Sequence, residues 1–263
     1  MQTAKQKLKR AAPWLFLLLV LAGLAAVRGL AANYEIGYEI MNGDFQNYNP
    51  VRHLLAGQVP YRDFTVYLGA GELYSVGGLL LVLGNSFGRS MFATNFCTWF
   101  YFELLVLAVC LVVIGTARAA RAAALALCSV FFAYVQGANL PFAGQVNTLL
   151  SYAAANGNSA RMMRSAALTL AVLVILLGLH FWQQDTSRRL LAPAVLVPFA
   201  AGFLVPWSND MGGAAYISIA LGYGLYLIRL YRSSIGKIVV QTLRYIVTSV
   251  VGLGVSVLLI SWG

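Results

Sequence analysis

The sequence predicts an all-α protein, a polytopic transmembrane helix bundle of about seven spans with juxtamembrane helices in a large first extracytoplasmic loop. Three observations lead there. Hydrophobic residues make up 60% of the 263 residues and charged residues only 10%, with a mean hydropathy of +0.76, whereas a soluble domain is about a quarter charged. The apolar residues gather into runs long enough to cross ~30 Å of hydrocarbon. The basic residues fall between those runs with a bias to one side.

The first run, Pro13 to Ala32, follows Lys5, Lys7, Lys9 and Arg10. It resembles a signal peptide but exceeds the usual apolar length and precedes further spans, so it is read as a retained signal anchor with its N-terminus in the cytoplasm. Further runs cover about 90–116, 120–137, 165–183, 190–206, 211–230 and 238–261. The stretch from Val66 to Gly84 is long enough to span but carries Glu72 and five glycines. Charge placement decides its role. If it crosses, seven basic residues lie on the cytoplasmic side and nine outside; if it lies in the interface, the division is 11 to 5. The second division obeys the positive-inside rule. The sequence therefore predicts seven spans, an outer C-terminus and an interfacial helix at 66–84, in a multi-pass membrane protein.

The formal charge of +10 would suggest nucleic acid for a soluble chain. In a membrane protein the cations fix orientation and meet lipid phosphates, so membrane lipids are partners and nucleic acid is not. Cys97, Cys110 and Cys128 lie in apolar runs without metal-ligand spacing and read as small buried hydrophobes. His53 and His180 are isolated. Glu103, inside a span, reads as an interhelical hydrogen-bonding group.

The chain is one transmembrane module, 1–263, whose outer side carries a first loop at 33–89 and a second at 137–164. The first loop holds Glu35, Glu39, Asp44, Asp63 and Glu72, and the second ends in Arg161 and Arg164. A third outer turn, PWSNDMGG, brings Asn209 and Asp210 to the same side. Three polar segments above an apolar bundle are the layout of a site at a membrane surface.

An acidic residue soon after the first span, an amphipathic helix, the segment GQVPYRDF and an interfacial LGAGELY together resemble the first extracytoplasmic loop of GT-C-type membrane glycosyltransferases. The similarity is to the N-terminal membrane module of the aminoarabinose transferase, protein mannosyltransferase and O-antigen-modifying transferase group. It is strongest over about 33–90, with the span count in support. The resemblance implies a polyprenyl-phosphate-linked sugar as donor, an envelope glycan, lipid or protein as acceptor, and a place in the bacterial inner membrane. Members of that group often carry an acidic pair at the catalytic point, where this chain has Gly43-Asp44-Phe45.

Under that resemblance Asp44 is the general base, since an alcohol attacks well only when its proton has a destination. The alternative is a helix N-cap ahead of FQNYNPVRHLL. Asp210 is a second acid, a ligand with Asp44 for a divalent metal (Mg or Mn), an acceptor-binding group, or one residue of a tight turn. Arg52, Arg62, Arg161 and Arg164 are candidates for the donor phosphate, against ordinary contact with lipid headgroups. Asp63 is expected to cap the juxtamembrane helix or to pair with Arg62. Tyr38, Tyr48, Tyr61, Tyr67 and Tyr74 form an interfacial belt, with Tyr48, Tyr61 and Asn209 the candidates for holding sugar or acceptor.

Two other classes fit a polar face on an apolar bundle: a transporter or flippase for lipid-linked sugars, and a non-catalytic subunit of an envelope-glycan assembly. The chain shows no internal repeat or broken midplane helices of the kind transporters use. GT-C proteins usually continue beyond the point matched by Trp262-Gly263, so the resemblance implies a fragment, a minimal form or half of a split enzyme.

Overall fold

The computed structural model describes residues 4–34, 42–66, 68–115, 118–134, 191–209 and 211–261. The described residues form eight α-helices and one short 3-10 turn, with no β-strand among them. Three of the helices are long and apolar enough to cross a membrane, and four further apolar stretches are shorter. The segment 137–164, expected as the second outer loop, and the run at 165–183 lie outside the described residues. The chain divides into two compact units: 1–45 with 82–162, and 46–81 with 163–263.

The first unit is built on α1 (Ala4–Tyr34), α4 (Phe87–Ile114) and α5 (Ala119–Tyr134). Helix α4 starts earlier than the apolar run because Ser86 caps it, its side chain accepting from the Arg89 amide at 3.3 Å. It ends where Gly115 takes φ +87° and returns its N–H to Leu111 O at 3.0 Å. Along α4, Leu107 and Cys110 meet Leu17 and Leu21 of α1 and Ala122 and Ala126 of α5. The rings of Phe92, Phe96 and Phe100 stack at 6.0 and 5.7 Å, on the helix where Trp99 packs with Ala25 of α1. Glu103 is fully buried within α4.

One expectation is corrected here. Cys97 and Cys110 are buried, but Cys128 is exposed. Helix α5 buries the stripe Ala122, Ala126 and Val130, and a residue two positions beyond Ala126 turns about 200° away from that stripe.

The second unit contains α6 (Leu191–Phe203), the 3-10 turn Val205–Trp207, α7 (Met211–Leu230) and α8 (Ile235–Ser261). Helices α6 and α8 touch backbone to backbone: Gly202 lies against the main chain of Ser249, and Gly252 against that of Phe199. Small residues permit such contact inside a membrane, where van der Waals packing replaces hydrophobic driving force. Ile217, Leu221, Leu225 and Ile228 of α7 and Val247, Val250, Val251 and Leu258 of α8 are exposed. An apolar surface of that extent on helices of spanning length is the mark of a membrane protein.

Most of the segment 33–89, expected as the first outer loop, belongs to this unit. Helix α2 (Asn42–Leu55) and helix α3 (Ala70–Leu83) meet where Gly77 faces Leu54 and Val51. Helix α3 has 14 residues, about 21 Å of rise, short of the ~30 Å of a hydrocarbon core.

Candidate functional site

One group of polar residues of the second unit gathers where α6 ends, α7 begins and α8 ends. Ser208, fully buried, caps α7, its hydroxyl accepting from the Met211 amide at 3.3 Å and its carbonyl from Gly212 at 2.8 Å. The next residue, Asn209, faces the first loop. Its Nδ2 donates to Val66 O at 2.7 Å, and its Oδ1 accepts from Tyr61 Oη at 3.2 Å. Gly69, at φ +106°, lies directly on the backbone of Trp207 and Ser208, where any side chain would collide. Gly71 packs under the Trp207 indole, and Tyr74 Oη donates to Ile260 O at 3.0 Å.

The loop so held is ordered by its own contacts. Asp63 accepts from the Val59 amide at 2.7 Å and, through both oxygens, from Arg62 at 3.0 Å. The Asp63 amide returns to Val59 O and the Tyr61 amide to Phe64 O, each at 2.9 Å. His53 stacks on Phe64 at 5.2 Å and joins Gln58 through Nδ1. Tyr61 has φ +63°. A side chain in that left-handed region carries roughly 1–3 kcal/mol of strain, which the surrounding contacts must offset.

The electrostatics follow from these contacts. Hydrogen bonds from Arg62 and then from the Val59 amide hold the Asp63 carboxyl below its ordinary range, and the same pairing raises Arg62. Burial pushes the Tyr61 phenol up, with the Asn209 hydrogen bond opposing in part. Tyr61 therefore stays a neutral donor near pH 7.

No family model, curated protein or solved structure matches this chain.

Of the residues singled out in the sequence, the structure joins Tyr61 and Asn209 directly and sets Arg62 beside them in sequence. Arg62 is committed to Asp63 on one edge of its guanidinium, with its side chain 62% exposed. Arg52 is exposed on α2, over the ring of Tyr48 at 5.8 Å. Tyr48 is itself buried, so it supports Arg52 more than it offers a surface. Asp44 is the third residue of α2, which begins at Asn42, so it stands in the first turn and not at the cap. It falls in the first unit. Arg161, Arg164 and Asp210 lie outside the described residues. Among the described residues no three His, Cys, Asp or Glu side chains come together. Sequence reasoning missed Ser208 and Gly69. Ser208 was legible as a serine just before an apolar helical run, whereas the contact at Gly69 has no local signal.

Proposed function

We propose that this chain is a membrane glycosyltransferase of GT-C type, with seven spans, acting on a polyprenyl-phosphate-linked sugar at the extracytoplasmic face. The observation that supports the reading best is the Tyr61–Asn209 hydrogen bond. It ties GQVPYRDF, the segment that carries the resemblance, to the WSND turn, which the sequence assigns to the same face.

In this reading Asp44 takes the proton of an acceptor hydroxyl as its oxygen forms a bond to the anomeric carbon. The bond from that carbon to the phosphate oxygen breaks, and its electron pair leaves with the lipid phosphate. Arg52 and Arg62, with Arg161 and Arg164, receive that charge at the membrane interface, where cations stabilise it most when fixed in advance. Asp210 is in this reading a second acid, an acceptor-binding group or, with Asp44, a ligand for a divalent ion such as Mg or Mn.

The test is the donor. Purified protein in lipid should pass label from a polyprenyl-phosphate sugar to acceptor and should not pass it from a nucleotide sugar. Transfer from the nucleotide sugar alone, in material free of lipid carrier, contradicts the reading. Accumulation of lipid-linked sugar on the wrong leaflet in a deletion strain, with transfer intact, would favour a flippase.

A further inference from the structure

The opposite end of the second unit carries a different set of groups. Helix α7 has 20 residues, so its far end lies about 30 Å from Asn209. There the short turn Tyr231–Ser234 joins two helices of spanning length, which sets it at the level of lipid headgroups. Arg229, Arg232 and Lys237 are exposed around that turn, and Lys237 Nζ lies 5.9 Å from the Tyr231 ring centre.

The polar groups continue inward along one stripe of α8. Lys237, Gln241 and Arg244 recur at i, i+4 and i+7, one face of a helix, and Tyr245 stands beside them. Arg244 is about 10 Å deeper than Lys237 along the helix axis and interacts electrostatically with Tyr223 of α7. Tyr245 packs on Tyr223 and Tyr216, with ring centres 5.0 and 6.0 Å away. From Leu191 onward the sequence has one acid, Asp210, and it precedes the far end of α7. Two buried polar atoms of the stripe, Gln241 Oε1 and Tyr245 Oη, have no hydrogen-bond partner among the described residues.

A cation held below the headgroup level needs an anion or a path to water, and a buried acceptor needs a donor. One ligand class meets both demands. We propose that the α7–α8 stripe binds an anionic phospholipid whose headgroup carries a free hydroxyl, with Lys237 and Arg244 on the phosphate and Gln241 Oε1 accepting from the headgroup hydroxyl beside Tyr245. Charge alone would select any anionic lipid. The unpartnered acceptor selects for the hydroxyl.

Nanodiscs of mixed composition test this with the purified full chain, by native mass spectrometry of the lipids it retains. The probes are phosphatidylglycerol, phosphatidylmethanol, which has the same charge and no headgroup hydroxyl, and phosphatidylcholine. Wild type should hold phosphatidylglycerol over phosphatidylmethanol about fivefold, as one hydrogen bond gives, and both over phosphatidylcholine. Gln241→Leu should bring the first ratio to about one while leaving the preference for charge. Arg244→Gln should lower both anionic lipids together, and Arg118→Gln, an equal change of charge in the other unit, should alter neither ratio. Unfolding temperatures of the variants separate loss of the site from loss of the fold. Equal retention of phosphatidylglycerol and phosphatidylmethanol by wild type overturns the hydroxyl contact, and equal retention of all three lipids overturns the site.

Discussion

Tyr61 Oη donates to Asn209 Oδ1 at 3.2 Å across 148 residues of sequence, and the same asparagine donates to Val66 O at 2.7 Å. The first loop is therefore fastened to the start of α7 by one side chain. Tyr61→Phe removes a single neutral hydrogen bond and should cost about 1 kcal/mol. Asn209→Ala strips both partners and should cost more, about 2 kcal/mol. Thermal unfolding in detergent orders the two, and amide exchange should rise across residues 58–68 in both. Equal effects would mean that Val66 finds another donor.

The close approach of α6 and α8 makes a sharper test of packing. Gly202→Ala or Gly252→Ala puts a methyl group into the backbone of the facing helix and should cost about 1–3 kcal/mol as overpacking. Gly254 has nothing within 4 Å of where a side chain would stand. Gly254→Ala should be neutral or raise stability by up to about 1 kcal/mol through helix propensity. Melting temperatures of the three variants check the order.

Acid should loosen the loop only at low pH. The Asp63 carboxyl is held below its ordinary range by Arg62 and by the Val59 amide. A carboxylate with a depressed folded pKa contributes stability above its unfolded pKa and loses it as pH falls through the folded value. Protection of the Val59 amide, corrected for intrinsic exchange, should hold from pH 8 to about 5 and fall below about 4. Asp63→Asn should abolish the pH dependence. The pair is solvent-exposed, so the global melting temperature should move little.

The proposed topology fixes where labels report. Cysteines introduced at Gly84 and Gly157 should react with an impermeant reagent from outside, and those at Arg121 and Ser234 only from inside. Reaction of Arg121→Cys from outside would restore eight spans and return the stretch at 66–84 to the membrane.

What the sequence made legible follows from the range of each cause. Helix α7 matches its expected run at 211–230 at both ends, because Ser-Asn-Asp before it and Arg-Ser-Ser soon after it are local boundary signals. The length of α3 was not legible in the same way: the stretch 66–84 reads as one apolar run, whereas the helix begins only at Ala70, after Gly69 has turned at φ +106° against the main chain of Ser208. Pairing of Asp63 with Arg62 was legible too, since the two are neighbours. The Tyr61–Asn209 contact was foreseen only as two segments on one side; the bond itself depends on a left-handed Tyr61, which a propensity reading disfavours. The glycine contacts of α6 with α8 and the exposure of Cys128 arise from how helices pair, and pairing leaves no mark at a single position.

The central claim is that Asp44 moves a proton during sugar transfer, and Asp44→Asn isolates it. The amide keeps the size of the carboxyl and its place in the first turn of α2, but cannot take the proton. General base catalysis is worth about 10² to 10⁴ in rate. Transfer of label from a polyprenyl-phosphate sugar, measured in single turnover on purified protein, should fall by that order while melting temperature and donor retention stay at wild-type values. Turnover of Asp44→Asn near the wild-type rate would contradict the assignment and send the search for the base to Asp210.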